Sequence, residues 1–288
     1  MGYTASTCFD ELLAGLRLTP TQKDIAAGRV AHLKTFFPTA FAMARDVWAT
    51  GSYARDTLIS WRRDVDVMAI VSDDYWPTYQ FDSSKFLYRV RDRLNDEYRN
   101  TKVSSQEISV RIAAGEDIEV DVVPGFERDD GGFLIPNGSG RWMATNPPAH
   151  FEKVRELNVQ LDSRFKPLVR IMKAWNEANA RPISSIHVEL LVYAIWHGES
   201  LVPSWPEAVD KTLLLMPIWL KEPLPDIWAP GGMVDRGLSS DQRAKSLRMV
   251  DSDYDKAAEA LRLERDRKYR EANEAWQVVF RRKFPAYG

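Results

Sequence analysis

The first half of the chain alternates short apolar stretches with turn-forming residues, a pattern that predicts β-strands. The stretch Asp64–Val71 is rich in β-branched residues and runs into a polar turn, which is typical of a strand. Residues 45–49 predict a short buried strand that leads into Gly51-Ser52. Further strands are predicted at residues 107–113 and 118–123, with a turn at 115–117 between them and an end at Pro124-Gly125.

The sequence near residue 19 has the residues typical of a helix N-terminus. Thr19 is suited to cap the helix, Pro20 to occupy its first position and Gln22 to complete a capping box. We expect this helix to run to about Phe37 and to end before Pro38. A second, amphipathic helix is predicted at residues 84–99.

Helical spacing dominates the second half of the chain, where almost no strand pattern occurs. The predicted helices cover residues 150–160, 164–179, 185–197, 206–221 and 240–283. In the last of them Glu264 and Lys268 stand four positions apart, which predicts an ion pair on an exposed face. We therefore predict an α+β protein with an α/β domain and N-terminal helices over residues 1–160, followed by a helical domain over residues 161–288.

Composition narrows the class of protein. Hydrophobic residues make up 44% of the 288 and charged residues 28%, which excludes a disordered chain, a collagen-like repeat or a disulfide scaffold. Lys and Arg number 39 against 41 Asp and Glu, so the basic excess of a duplex-DNA binder is missing and we expect no such partner. A single cysteine, Cys8, fits a reducing compartment, and we expect a cytoplasmic protein. The longest apolar stretch is far shorter than the about 20 residues that a membrane-spanning helix needs, so we expect no membrane association.

Three aspartates are the main candidates for chemistry. Residues i and i+2 of a strand point to the same face, roughly 6.5–7 Å apart, so Asp64 and Asp66 project together. Asp121 lies inside an apolar strand and points away from its apolar neighbours. Like charges this close disfavour joint ionisation, and two Mg²⁺ ions would relieve the repulsion and clamp a phosphoryl group.

Gly51-Ser52 supplies a second candidate feature. Glycine allows a phosphate to approach the backbone, and the amides after it form an anion site if they begin a helix. An Asp-x-Asp pair or a Gly-Ser pair alone more often just flanks a strand. The ordered combination of Gly51-Ser52, Asp64, Asp66 and Asp121 is much more specific.

The stretches GSYARDTLISWRRDVDVMAIV and IEVDVVPGF resemble the polymerase-β-like nucleotidyltransferase superfamily. More narrowly, the chain resembles the bacterial CD-NTases, relatives of cyclic GMP–AMP synthase and oligoadenylate synthase. Later stretches agree, in order: FLIPNGSGRWMATNPPAHF, LVRIMKAWNEANARPISSIHVELLVYAI and AWQVVFRRKFP. The resemblance implies a nucleotidyltransferase core with a mixed sheet, packed on an oligoadenylate-synthase-like helical domain. Asp56 departs from the pattern, since such motifs commonly have Gly before Thr57.

The resemblance also implies the roles of the acidic residues. Asp64 and Asp66 are expected to hold two Mg²⁺ ions, for which Mn²⁺ is an acceptable substitute. Asp121 is expected to complete the metal site and to lie near the attacking hydroxyl group. These three residues are therefore the expected catalytic and metal-binding set.

A second implied set binds the nucleotide. Gly51 and Ser52 are expected to contact the terminal phosphates. Lys173 matches the lysine of the helical half that meets the triphosphate, and Ser184 or Ser185 matches the serine nearby. The ordinary alternative for Lys173 is a solvated helix residue.

Other residues carry weaker indications. The four histidines and Cys8 form no zinc-ligand pattern, so we expect no zinc. Trp142, Trp175, Trp196 and Trp276 are expected in the core or at the domain interface. The segment 284–288 is expected to be exposed, and its final Gly is compatible with a conjugating enzyme acting on the C-terminus, although an ordinary frayed end is the commoner explanation.

The predicted activity is synthesis of a cyclic di- or trinucleotide second messenger from nucleoside triphosphates, by resemblance in antiphage (CBASS-type) defence with effector-system partner proteins. Two alternatives stay open. A nucleotidyltransferase that modifies a small molecule, a protein or an RNA end would use the same aspartates. A non-catalytic nucleotide-binding scaffold would keep the fold without the reaction.

Overall fold

The structure is a computed structural model, and it describes residues 4–41, 44–62, 64–113, 118–129, 131–226, 228–229, 232, 234–235 and 237–288. The strands are β1 (Ala44–Thr50), β2 (Asp64–Val71), β3 (Lys102–Ser105), β4 (Val110–Ala113), β5 (Glu119–Glu127), β6 (Phe133–Pro136) and β7 (Trp142–Thr145). They form one sheet in the order β1-β2-β5-β4-β3, and β6 extends it from β5 to β7. The pairing of β2 with β5 is parallel and the others are antiparallel, so the predicted mixed sheet is confirmed.

Helices flank the sheet and build the second half of the chain. They are α1 (Ala5–Gly15), α2 (Pro20–Ala40), α3 (Gly51–Ala54), α4 (Trp76–Tyr79), α5 (Ser83–Glu97), α6 (Pro147–Gln160), α7 (Phe165–Ala178), α8 (Ser185–Trp196), α9 (Trp205–Leu220), α10 (Ser240–Arg265) and α11 (Tyr269–Val279). The predicted capping box of α2 is present, with Thr19 and Gln22 each accepting from the other's backbone N–H. Among the described residues, no helix is long and apolar enough to cross a membrane.

The sheet has one apolar face and one functional face. Alternate residues of β2 and β5, including Val65, Val67, Val120 and Val122, pack with α2 and α5 in one buried cluster. Their neighbours in the strands point to the opposite face, where Met68, Ile70, Val123 and Ile135 form a smaller cluster. The carboxylates of β2 and β5 lie on this second face because strand side chains alternate.

The helical half has its own core, in which Trp175, Trp196 and Trp276 are fully buried as expected. Helix α1 packs in this same core against α7, α9 and α11. The predicted division at residue 160 placed α1 with the sheet domain, whereas in the structure α1 packs with the helical half. Phe284, expected to be exposed, is buried against Phe9 and Phe280, because an aromatic cluster receives its ring.

Several predicted boundaries differ from those in the structure. Strand β5 continues through Pro124, where it was predicted to end. Its pairing with β4 ends at Val122, and its pairing with β6 begins only at Phe126. No strand on that side therefore needs the N–H that Pro124 lacks. Helix α2 runs past Pro38 to Ala40. Strand β1 is a half-exposed edge strand rather than a buried one. The predicted turn at 115–117 lies outside the described residues.

The predicted helix over 240–283 is two helices. Arg267 takes the left-handed conformation, with φ +60°, and its N–H closes the end of α10 on the carbonyl oxygen of Glu264. Lys268 is then the N-cap residue of α11. The Glu264 carboxylate accepts from the backbone N–H of Ala5 at 2.9 Å, so it serves the start of α1 rather than the predicted ion pair with Lys268.

Candidate active site

The turn after β1 brings the backbone against an acidic side chain. Gly51 has φ +63°, and a Cβ atom there would lie 1.8 Å from the Asp66 Oδ2 atom, so any other residue would be strained and would displace the Asp66 carboxylate. The carbonyl oxygen of Ser52 accepts from the N–H groups of Thr57 and Leu58, at 2.9 and 3.1 Å. The turn that holds Ser52 is therefore closed on itself and lies directly over Asp66.

The departure at Asp56 has a structural explanation. Asp56 takes φ +56°, the left-handed region in which glycine is unstrained. Aspartate is one of the few other residues that adopt this conformation readily. The turn therefore keeps the backbone geometry that a glycine would give it, and Asp56 gains an exposed carboxylate on its outer side.

The three aspartates lie together on the functional face of the sheet. Asp66 and Asp121 are direct neighbours in the parallel pairing of β2 with β5, and Asp64 lies two residues before Asp66 on the same face. Desolvation, followed by the charges of Asp64 and Asp121, raises the pKa of Asp66 to about 7. The cluster therefore carries more negative charge than its surroundings neutralise.

Two arginines neutralise the outer members of the cluster. Arg111 donates to both oxygens of Asp121, at 2.9 and 2.6 Å, and also lies 3.0 Å from Glu119. Arg62 lies 3.4 Å from Asp64. Asp66 stands between these pairs and has no arginine hydrogen-bond partner among the described residues.

A cleft of about 420 Å³ lies between the sheet face and the helical half. The predicted residues that line it are Gly51, Ser52, Asp64, Asp66, Lys173, Ser184 and Ser185. The structure therefore brings together predicted residues that are more than 100 positions apart in the sequence. Asp121 is not part of the lining, since it is buried and the Arg111 guanidinium donates to both of its carboxylate oxygens.

Lys173 reaches the cleft as part of a buried charged network. Its ammonium group donates to Glu189 at 2.8 Å and to the Thr57 hydroxyl at 3.0 Å, and it is only 3% exposed. Arg55 donates to the other oxygen of Glu189 at 2.5 Å. Burial alone would raise the pKa of Glu189, but the Arg55 and Lys173 charges hold it well below its usual range. Burial lowers the pKa of Lys173.

The sequence interpretation missed Arg55, Thr57 and Glu189. One signal was present, because Glu189 is the lone charge in an otherwise apolar stretch of α8. A carboxylate in such a stretch needs a buried cationic partner. The residues around Glu189 do not indicate which cation pairs with it, since Arg55 lies 134 residues away.

The start of α8 adds hydrogen-bond donors to the cleft. Ser184 caps the helix by accepting from the His187 N–H, and Ser185 is its first residue. Both line the cleft beside Lys173. A helix N-terminus presents free N–H groups and partial positive charge, which suits a phosphate.

The far end of the cleft is apolar. Met68, Val123, Ile135 and Met143 line this part, and they belong to or pack on the small cluster on the functional sheet face. At its rim the His150 Nε2 atom lies 2.8 Å from a carboxylate oxygen of Asp226. The cleft therefore combines a charged zone with an apolar zone of the kind that takes a flat ring.

The acidic cluster fits divalent cations with oxygen ligands, such as Mg²⁺. Asp64 and Asp66 line the cleft, and burial together with the charges of Asp64 and Asp121 raises the pKa of Asp66, which a bound cation would reverse. Within the described residues, no three acidic, His or Cys side chains form a preassembled metal-binding group. Asp121 would join Asp64 and Asp66 only when Arg111 releases it, and Glu119 offers Arg111 an alternative partner.

Comparison with known proteins gives a matching family model. The Second Messenger Oligonucleotide or Dinucleotide Synthetase domain matches residues 3–158. A cyclic AMP-AMP-AMP synthase from Acinetobacter sp. is 34% identical over 140 residues, which is 45% of this chain and 39% of the relative. A probable cyclic nucleotide synthase from Bacillus cereus is 25% identical over 66% of this chain and 70% of the relative. The CBASS oligonucleotide cyclase CdnC from Escherichia coli is 29% identical over 49% of this chain and 48% of its own length.

Solved structures share the fold over nearly the whole chain. Escherichia coli CdnC with ATP has a TM-score of 0.79 and 18% identity, covering 98% of this chain and 99% of that one. CdnC in complex with HORMA-deltaN has a TM-score of 0.76 and 20% identity, covering 96% of each chain. The Vibrio cholerae cyclic AMP-GMP synthase DncV, with a linear intermediate, has a TM-score of 0.74 and 12% identity, covering 99% and 97%. The predicted core with a packed helical domain is thereby confirmed.

Proposed function

The chain belongs to the Second Messenger Oligonucleotide or Dinucleotide Synthetase family, and from that premise we propose that it makes a cyclic di- or trinucleotide from nucleoside triphosphates. One observation carries the proposal: Ser52, Asp66 and Lys173 line a single cleft although they come from distant parts of the chain. The match covers about two fifths to a half of the Acinetobacter and Escherichia coli relatives.

In the proposed reaction the charged zone holds a nucleoside triphosphate. The Ser52 hydroxyl and the start of α8 donate to its phosphates. Lys173 uses two of its three N–H donors on Glu189 and Thr57, which leaves one for a phosphate oxygen. Together these groups orient the α-phosphate for in-line attack, and positioning of this kind accounts for a large part of such rate enhancements.

The second nucleotide would place its base in the apolar zone and its ribose hydroxyl towards the aspartates. The hydroxyl oxygen gives its proton to a carboxylate of the aspartate cluster and forms a bond to the α-phosphorus, the bond to the bridging oxygen breaks, and pyrophosphate leaves with that electron pair. A second transfer within the linear product closes the ring. Asp64, Asp66 and Asp121 would hold two Mg²⁺ ions, which supply the positive charge that the transferred phosphoryl group requires. Arg111 must release Asp121 for this set to be complete.

The biological setting is also a proposal. The name of the Escherichia coli relative contains CBASS, which supports a role in antiphage defence. The complex of CdnC with HORMA-deltaN supports an effector-system partner protein. A conjugating enzyme acting on the C-terminus and a cytoplasmic location stay predictions.

Product analysis tests the proposal. Purified protein is incubated with α-³²P-labelled ATP, GTP, CTP and UTP, singly and mixed, with Mg²⁺ and then Mn²⁺, and the products are treated with phosphatase and separated. Asp64→Asn is expected to make no product, whereas Asp92→Asn, on the exposed side of α5, keeps full activity. A phosphatase-resistant species made by wild type and Asp92→Asn supports a cyclic product. Label transferred to a different acceptor would point to another nucleotidyltransferase, and no label in any cyclic, linear or acceptor-bound product would refute both.

A further inference from the structure

A second cavity borders the same turn that holds Ser52. It encloses about 430 Å³ and is lined by Arg17, Leu18, Lys23, Tyr53, Asp56, Leu58 and Arg170. Leu58 also lines the catalytic cleft, whereas Tyr53 and Asp56 face only the second cavity. The turn therefore separates two cavities, and only one of them belongs to the proposed active site.

The second cavity has an excess of positive charge. Arg17, Lys23 and Arg170 contribute three cations, and Asp56 is the single carboxylate in the lining. Asp56 is exposed and lies 3.5 Å from Arg170, which is a weak contact. Arg17 and Lys23 are exposed and form no ion pair with any other described residue. Among the described residues that line the cavity, three cations therefore face one carboxylate.

Arg170 is the buried cation of this cavity, and the backbone of the turn holds it in place. It is only 6% exposed, and its Nη1 atom donates to the carbonyl oxygen of Asp56 at 2.7 Å. Its Nε atom is buried and has no hydrogen-bond partner. Burial lowers the pKa of Arg170, the charge of Asp56 partly opposes this shift, and the nearby charge of Arg17 adds to it. An incompletely satisfied buried cation is unfavourable, and an anion in the cavity would stabilise it.

We propose that this second cavity binds a phosphate group through Arg170, Arg17 and Lys23, and that the bound phosphate stiffens the turn from Ser52 to Leu58. Three converging cations match a phosphate monoester, which carries about −1.5 to −2 charges near pH 7, better than a single carboxylate. Guanidinium groups also match phosphate oxygens in geometry.

The coupling follows from shared backbone contacts. Arg170 holds the Asp56 carbonyl, and the next residue, Thr57, donates its N–H to Ser52. A phosphate that fixes the Arg170 guanidinium also fixes Asp56, whose backbone is already in the left-handed region. Ser52 on the other side of the turn is then held more firmly. The site would thus link a small phosphorylated ligand to the residue that meets the nucleotide.

Calorimetric titration tests the site without metal or nucleoside triphosphate, so the outcome is independent of the proposed synthesis. Inorganic phosphate is titrated in EDTA at constant ionic strength into wild type, Arg17→Gln, Lys23→Gln and two controls. Arg17 and Lys23 are exposed, so their substitution leaves folding intact. We expect saturable binding to wild type and binding weaker by about tenfold in each of the two variants, since each loses one charge-assisted contact.

The controls place the bound anion. Arg181→Gln removes a guanidinium from the catalytic cleft, and Arg89→Gln removes one from the exposed side of α5; both are expected to bind phosphate like wild type. Hydrogen exchange of the Thr57 and Leu58 amides should slow with phosphate in wild type but not in Arg17→Gln. Loss of binding in Arg181→Gln, unchanged binding in Arg17→Gln or no saturation in wild type would each overturn the proposal.

Adenosine monophosphate, titrated in parallel, distinguishes the sources of the phosphate group. Tighter Arg17-dependent binding than that of inorganic phosphate would identify a nucleotide ligand. Equal binding would identify the bare phosphate group as the recognised feature. Both results support the site, whereas saturable binding of inorganic phosphate that is equal in Arg17→Gln and wild type refutes it.

Discussion

Replacing Glu189 by glutamine should strongly destabilise the protein. The change keeps the shape of the side chain and removes the only negative charge of the buried Arg55–Lys173–Glu189 network. The net charge of these three groups rises from +1 to +2 in a region where each is at most 5% exposed. Removing one partner of a buried ion pair costs about 3–5 kcal/mol, because the remaining charge is left uncompensated.

That magnitude is a large part of the about 5–15 kcal/mol that typically separates folded and unfolded states. At roughly 2–4 °C per kcal/mol for a chain of this size, we expect the Tm to fall by about 6–20 °C. Urea unfolding at pH 7 measures the free energy directly. Glu259→Gln, which removes an exposed carboxylate paired with Lys256, is the matched control and should unfold like wild type.

The pH dependence of Glu189→Gln provides a second check. Burial lowers the pKa of Lys173, and the loss of Glu189 lowers it further. A lysine whose folded pKa lies below its unfolded pKa destabilises the fold at low pH, and this destabilisation is relieved as the pH rises through the folded pKa towards the unfolded one. Glu189→Gln should therefore be less damaging at pH 9.5 than at pH 7.

A compensating variant tests the charge argument itself. Lys173→Met leaves Arg55 and Glu189 as a balanced pair and should cost less than Glu189→Gln. Adding Lys173→Met to Glu189→Gln should recover part of the lost stability, because one uncompensated cation is removed. A loss below about 1 kcal/mol in Glu189→Gln, with no pH dependence, would refute the reasoning that Glu189 compensates the buried charges of Arg55 and Lys173.

Four further predictions follow from the site and its surroundings. Asp66→Asn should abolish product formation while the metal-free Tm stays equal or rises, because repulsion among the carboxylates is relieved; a large fall in Tm would make Asp66 structural. Gly51→Ala should lose activity and about 1–2 kcal/mol of stability, measured by urea unfolding, since its φ is +63° and Cβ would meet Asp66. Arg111→Gln should bind Mn²⁺ several-fold more tightly by electron paramagnetic resonance, because Asp121 is released and a positive charge is removed; weaker binding would contradict this. Burial lowers the pKa of His187 to about 4, so its contribution to stability is present above pH 6.5 and is lost as the pH falls towards 4. Between pH 8 and pH 5 this loss is about 2 kcal/mol. The free energy of unfolding of His187→Gln, measured in urea over the same pH range, should therefore vary less with pH.

The sequence was informative wherever a feature depends on near neighbours along the chain. The alternation in Asp64–Val71 predicted a strand with Asp64 and Asp66 on one face, and the structure has that strand with those bounds. The capping box at Thr19 was equally local and is present. Each of these features needs only the period of a strand or the geometry of a helix start, which a few residues specify.

Boundaries were harder because they depend on partners outside the segment. Pro124 was predicted to end a strand, yet β5 continues because neither β4 nor β6 pairs at that position. The predicted single helix over 240–283 is broken at Arg267, where the Glu264 side chain is drawn to the start of α1. A local pattern records what a segment favours, whereas the surrounding elements decide where it stops.

The sequence alone thus determined the mixed α+β class, the faces of the key strands and the candidate residues Ser52, Asp64, Asp66 and Asp121. Only the tertiary structure decided that Arg111 covers Asp121 and that Glu189 joins Arg55 to Lys173. The physical reason is that a buried charge requires a compensating partner but does not specify which one. That choice is made when the sheet and the helices pack, and it joins residues as far apart as the 134 positions between Arg55 and Glu189.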